Sequence, residues 1–180
     1  MDARKDSIVG LFSLYLPPER LDIICRHTNV KGKQILELFN QQHPEKPKEC
    51  KDVDAQEMAA FIALLIAAGK IHGNQTAIPE LRISHPAFRN PFFTAIMSRS
   101  RFQLLCAFLR FDDKITRCTR IEDSGDKLQA IREVTDIFVK ACIQNYSPKE
   151  NLTLDEILPA FRGKCPFIFY MKSNPGRYGI

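Results

Sequence analysis

Between Met58 and Ala68 the sequence runs Met-Ala-Ala-Phe-Ile-Ala-Leu-Leu-Ile-Ala-Ala without a single charge, then reaches Gly69-Lys70. Such a run is too short to cross a bilayer, which takes about 20 apolar residues, yet it fills three helical turns. Asp54-Ala-Gln-Glu57 stands directly before it, a capping-box pattern in which the first side chain accepts from the backbone three residues on. Gly69 suits the far end. A helix apolar nearly all round has to sit at the centre of a bundle, so the rest of the chain must supply helices to cover it.

Candidates for those helices lie on both sides. Ile8 to Tyr15 is a short apolar stretch broken by Pro17-Pro18. Pro18 suits the first turn of a helix carrying Leu21, Ile23, Ile24 and Cys25 to about Thr28. A second helix is expected over Lys31 to Gln42, with Ile35, Leu36 and Phe39 on one face. Pro44 to Asp52 reads as a polar surface loop. His72 to Pro86 reads as irregular, and the spacing of His72 and His85 matches no metal-ligand pattern. Within Asn90 to Phe111, Ser98 reads as a helix cap and Phe102, Leu105, Cys106 and Leu109 as a helical core stripe. Ile115 to Gly125 reads as a charged linker. Asp126 to Tyr146 reads as a long amphipathic helix with Leu128, Ile131, Val134, Ile137, Phe138, Ala141 and Cys142 on its apolar side. Ser147-Pro148 ends it and places a domain boundary near residue 148.

Composition narrows the partners. No apolar run approaches the length of a transmembrane helix, and the mixed-charge N-terminus is not that of a secretory signal. Six cysteines occur without a Cys-x-x-Cys pair, which points to reduced thiols in an intracellular protein and to no zinc site. The formal net charge of +5 suits DNA but does not single it out. Its distribution says more. Arg99, Arg101, Arg110, Lys114, Arg117 and Arg120 face only Asp112 and Asp113, a basic stretch able to neutralise phosphates, or else a solvated helix face.

The last thirty residues, Asn151 to Ile180, read as a strand ended by Pro159, a tight turn at Arg162-Gly163, and a second strand from Pro166 to Met171 that stops at Ser173-Asn174-Pro175-Gly176. Asp155 sits inside the first, otherwise apolar, strand, where a carboxylate is costly without a partner. Two readings stay open for it. It pairs with backbone amides, Arg162 or Lys164, or it holds a metal ion.

Leu154-Asp155-Glu156, Pro159-Ala-Phe-Arg-Gly-Lys-Cys-Pro-Phe167, Tyr170-Met171-Lys172 and Pro175 to Ile180 resemble the start of the catalytic domain of piggyBac-type DNA transposases. Leu16-Pro-Pro-Glu-Arg-Leu21, Ile96 to Phe102 and Phe108 to Asp113 are similar to that family's helical region. The tryptophan usual in the family is missing, with Leu81 or Arg82 standing near its place. The resemblance implies a mainly α fold. A helical dimerisation and DNA-binding bundle over 1–148 would be followed, over 149–180, by the first β-hairpin of a truncated RNase H-like catalytic domain. It implies that Asp155 is the first of three catalytic, metal-binding aspartates, in a reaction using Mg2+ or Mn2+. Two-metal phosphoryl transfer requires several carboxylates around ions roughly 4 Å apart, and no further aspartate follows Asp155. The chain is therefore expected to be an inactive fragment of an enzyme that cuts transposon ends and joins them at TTAA targets. Implied partners are duplex DNA and a second copy of the protein, in the nucleus and away from membranes. Arg99, Arg101, Arg110, Arg162, Lys164, Lys172 and Arg177 are the candidate DNA contacts. A transposon-derived binding module without catalysis is the alternative.

Overall fold

The computed structural model describes residues 7–71, 91–153, 161, 163, 165, 167–172 and 177–179. Among them stand seven helices: α1 (Ile8–Tyr15), α2 (Pro18–Gln42), α3 (Ala55–Lys70), α4 (Pro91–Ile96), α5 (Arg99–Phe108), α6 (Lys114–Ser124) and α7 (Arg132–Asn145). One two-stranded antiparallel sheet, β1 (Phe169–Tyr170) and β2 (Tyr178–Gly179), completes the list of elements. The expected mainly helical fold with a single hairpin is what is found. The chain divides into two compact units between Asp112 and Asp113.

In the first unit α3 forms as its sequence dictates. The Asp54 carboxylate accepts from the Glu57 backbone N–H at 2.8 Å, and the buried stripe is Met58, Phe61 and Leu64, each at most 1% exposed. That stripe packs against α2, and the Phe61 ring meets Phe102 of α5 with centroids 5.2 Å apart. Burial is one-sided, however. Leu65 and Ile66 are 41% and 55% exposed, so the helix lies at the edge of its bundle rather than wrapped on every side.

Two separate helices were expected between Pro18 and Gln42, yet α2 runs through without a break. Thr28 and Asn29 are poor helix formers because their side chains compete for backbone groups. Here both are occupied elsewhere. Thr28, buried to 1% exposure, accepts from the Arg110 N–H at 3.3 Å through its hydroxyl, and Asn29 both donates to the Val53 carbonyl (2.9 Å) and accepts from its N–H (2.8 Å). One turn later Gly32 admits the Phe108 ring so closely that an added Cβ would lie 2.8 Å from Phe108 Cδ2. Helix propensity favours alanine over glycine by about 1 kcal/mol, whereas a forced overlap in a packed core costs about 1–3 kcal/mol. Gly32→Ala is therefore expected to lower stability by about 1 kcal/mol in chemical denaturation. A more stable variant would show that α5 can draw away from α2 freely.

Ser98 caps α5 as expected, accepting from the Arg101 N–H at 3.3 Å. Its buried stripe is Phe102, Leu105 and Phe108, at helical spacing three. Cys106 is exposed and Leu109 already caps the C-terminus, which corrects two members of the expected stripe.

The second unit departs further from expectation. The supposed linker is helix α6, capped by the Asp113 carboxylate on the Ile115 N–H (2.8 Å) and ended by Gly125 in the left-handed region at φ 67°. It buries no residue. The helix expected from Asp126 begins only at Arg132. Asp126 accepts from the Leu128 N–H (2.9 Å) with one oxygen and from Arg132 Nε (2.6 Å) with the other, a local turn that displaces the first helical turns. Hydrogen bonding to Arg132 holds its carboxyl below the usual range. Of the expected apolar side of α7 only Ala141 is fully buried.

The hairpin also pairs differently from the sequence reading. Phe169 opposes Gly179 and Tyr170 opposes Tyr178, so the run ending at Met171 pairs with the residues after the Ser173–Gly176 segment. The first strand expected before Pro159 falls largely on 154–160, outside the described residues. No described helix is long and apolar enough to cross a membrane.

Candidate nucleic-acid interface

Arg99 is the first residue of α5 and exposed, as a phosphate contact has to be. Arg101, two residues on and nearly opposite around the helix, is committed elsewhere. Its Nε and Nη2 reach the two Glu57 oxygens at 2.7 and 2.6 Å, and Nη1 lies 2.8 Å from Cys50 Sγ. The ion pair is mostly enclosed, with side chains 16% and 26% exposed. Hydrogen bonding to Glu57 keeps the guanidinium charged even more firmly than usual. Forked arginine–carboxylate pairing of this kind fixes orientation as well as charge, so Arg101 ties the start of α5 to the start of α3.

Arg110 follows the C-cap of α5. Its backbone is held by Thr28, and its guanidinium turns back onto the Leu109 carbonyl at 2.9 Å, leaving it half-buried. The three arginines thus do not form one continuous face. In the second unit Lys114 is exposed on α6, and Arg120 donates to the Asp113 carbonyl at 3.0 Å.

Lys172 and Arg177 are both exposed beside the hairpin. Arg177 adopts φ 48°, the left-handed region, which costs a residue with a side chain about 1–2 kcal/mol. Its carbonyl accepts from the Met171 N–H at 2.8 Å, which holds the turn. Asp155, Arg162 and Lys164 lie outside the described residues, as do His72, Leu81, Arg82 and His85. Among the described residues no cluster of three histidine, cysteine, aspartate or glutamate side chains could hold a metal ion. The described residues therefore do not make a metal centre by themselves.

Two features escaped the sequence reading. The Glu57–Arg101 pair joins residues 44 positions apart, with no local signal beyond two opposite charges at helix starts. The cross-strand pair Tyr170–Tyr178 had a signal: the two tyrosines stand four residues either side of Asn174, within the turn segment. The cysteines are free thiols, and the buried Cys25 thiol is pushed up to about 11 by burial and then by Asp22, Asp54 and Glu57.

Among solved structures, the chain is similar to piggyBac transposase in a cryo-EM synaptic complex with hairpin DNA. Sequence identity is 31%, the TM-score 0.76, and the match covers 93% of this chain. It covers 33% of the other, so this chain spans about a third of the length of that transposase. The profile of the family described as Transposase IS4 matches residues 7–180. Full-length enzymes of such a family use divalent metal ions. With nearly every residue inside that match and the piggyBac likeness running through both compact units, the chain belongs to the IS4-type transposase family and is of the piggyBac type.

Proposed function

We propose that this chain is the DNA-engaging part of a piggyBac-type transposase, one that cuts and joins DNA when the rest of the protein is present. The observation that carries the reading is the fold match over 93% of the chain to a transposase solved on DNA. In this reading Arg99, Arg110, Lys172 and Arg177 contact backbone phosphates, together with Arg162 and Lys164. Arg101 serves the same surface by fixing the start of α5 through Glu57. Asp155 is proposed as one ligand of a divalent ion, Mg2+ or Mn2+, with the other carboxylates supplied from elsewhere in the protein. A second copy of the protein, TTAA targets, nuclear location and a functional boundary near residue 148 belong to the same proposal.

Charge is what makes the proposal testable. Each phosphate neutralised releases counterions and adds about 0.9 to the slope of log affinity against log salt. Arg99→Ala with Arg110→Ala is expected to weaken duplex binding at low salt about tenfold per residue and to reduce that slope by about 1.8. Arg99 is exposed and Arg110 holds its place through its backbone, so unfolding midpoints should hardly move. Unchanged affinity and slope in the folded double variant would remove these arginines from the interface.

A further inference from the structure

Resting on the reading of the chain as a DNA-binding transposase piece, we propose that the paired tyrosines of the terminal hairpin are a stacking platform for an unpaired DNA base, with Lys172 and Arg177 holding the neighbouring phosphates. The register forces the pair together. Tyr170 and Tyr178 lie directly opposite each other in an antiparallel ladder, so both side chains project from the same face. Their ring centroids are 5.0 Å apart at an interplanar angle of 48°, and each residue is 54% exposed.

The other face of the hairpin is only partly covered, since Gly179 is buried while Phe169 remains 64% exposed. Phe169 and its neighbours Phe167 and Ile168 line a groove with Leu128 and Ile131, and Gly179, opposite Phe169, is buried. Both faces therefore reach solvent, and what sets the tyrosine face apart is its pair of rings in contact across the strands. Its rings are held on strands, so a base stacking there would not have to order a loose side chain first.

Charge selects the occupant. From Ile157 to Ile180 the sequence contains no aspartate or glutamate but does contain Arg162, Lys164, Lys172 and Arg177. Lys172 and Arg177 are exposed beside the tyrosines, and the Met171–Arg177 hydrogen bond holds the backbone that carries them. Exposed aromatic faces beside exposed cations match a single-stranded polyanion with flat bases, since every base has a π-face and each phosphate a charge. A paired base cannot use the platform, because its faces are already stacked inside the duplex. The occupant is therefore a nucleotide already unpaired or extruded from the helix.

The test compares a duplex carrying a short single-stranded overhang with 2-aminopurine in it against a blunt duplex of the same sequence, using the whole chain. The overhang should bind about tenfold tighter, with quenching of the 2-aminopurine as it stacks. Tyr170→Ala with Tyr178→Ala should abolish both the preference and the quenching while blunt-duplex affinity stays the same. Tyr170→Phe with Tyr178→Phe should keep them, since the rings remain. Because that pair is isosteric it decides the matter even if the alanine variant does not fold: loss of preference in the phenylalanine variant contradicts stacking. Blunt duplex bound without any overhang preference overturns this inference alone. No binding to either duplex overturns the proposed function with it.

Discussion

Phe61→Ala is expected to destabilise the first unit by about 3–5 kcal/mol, the range for removing a large aromatic side chain from a packed core. The magnitude follows from position. Phe61 is 1% exposed, sits between fully buried Met58 and Leu64 on α3, and its ring meets Phe102 on α5. The lost ring removes transfer free energy, a ring–ring contact and the filling between two helices at once. Helix α5, held at its start by the Glu57–Arg101 pair and after its end by Thr28, and α3, tied at its start to Asn29 through Val53, cannot collapse easily into the space left. Typical single domains have only about 5–15 kcal/mol in total, so the variant should unfold at a much lower denaturant concentration. Phe61→Leu keeps most of the volume and should cost about 1.5 kcal/mol. A loss below about 1 kcal/mol for alanine in circular-dichroism unfolding would mean that α3 is not the element on which the bundle rests.

Glu57→Ala is the second large effect, expected at about 2–3 kcal/mol. Its cost comes less from the attraction lost than from the guanidinium left behind. Arg101 has only 16% of its side chain in solvent, and with Glu57 gone its Nε and Nη2 lose the carboxylate they donate to, while Nη1 keeps Cys50. The pair is partly hydrated, which keeps the effect below that of a fully enclosed ion pair. The diagnostic measurement is a double-mutant cycle. Glu57→Ala combined with Arg101→Ala should be less destabilised than the sum of the single variants by at least about 1 kcal/mol. Additive losses would show that the two charges contribute independently.

These two effects also mark what a sequence can reveal. The caps at Asp54 and Ser98 were legible because capping is decided within three residues, and the core stripe of α3 because burial repeats every three or four. What escaped depends on distant partners. Asn29 looks like a break until Val53 is seen clamped by its amide, and only then can α2 run unbroken to Gln42. Lys114 to Ser124 carries so little apolar surface that it reads as a linker, yet Asp113 at one end and Gly125 at the other delimit a helix. Asp126 looks like part of a long helix, but its carboxylate bonds Leu128 and Arg132 and delays helix α7 by about a turn and a half. On the candidate interface, charge alone could not tell Arg99, which is exposed, from Arg101, which is tied to Glu57. The resemblance to piggyBac transposases was legible from the motif around Phe161 to Phe167 and from the tail Tyr178-Gly-Ile180, because such a long run of specific residues is rare by chance.

The affinity of the purified chain for duplex DNA, measured across a series of salt concentrations, tests the reading at its root. Log affinity should fall linearly with log salt, with a slope of about −3.6 to −5.4 for four to six phosphates contacted by the arginines and lysines named above. A slope indistinguishable from zero, or no binding even at low salt, would contradict it.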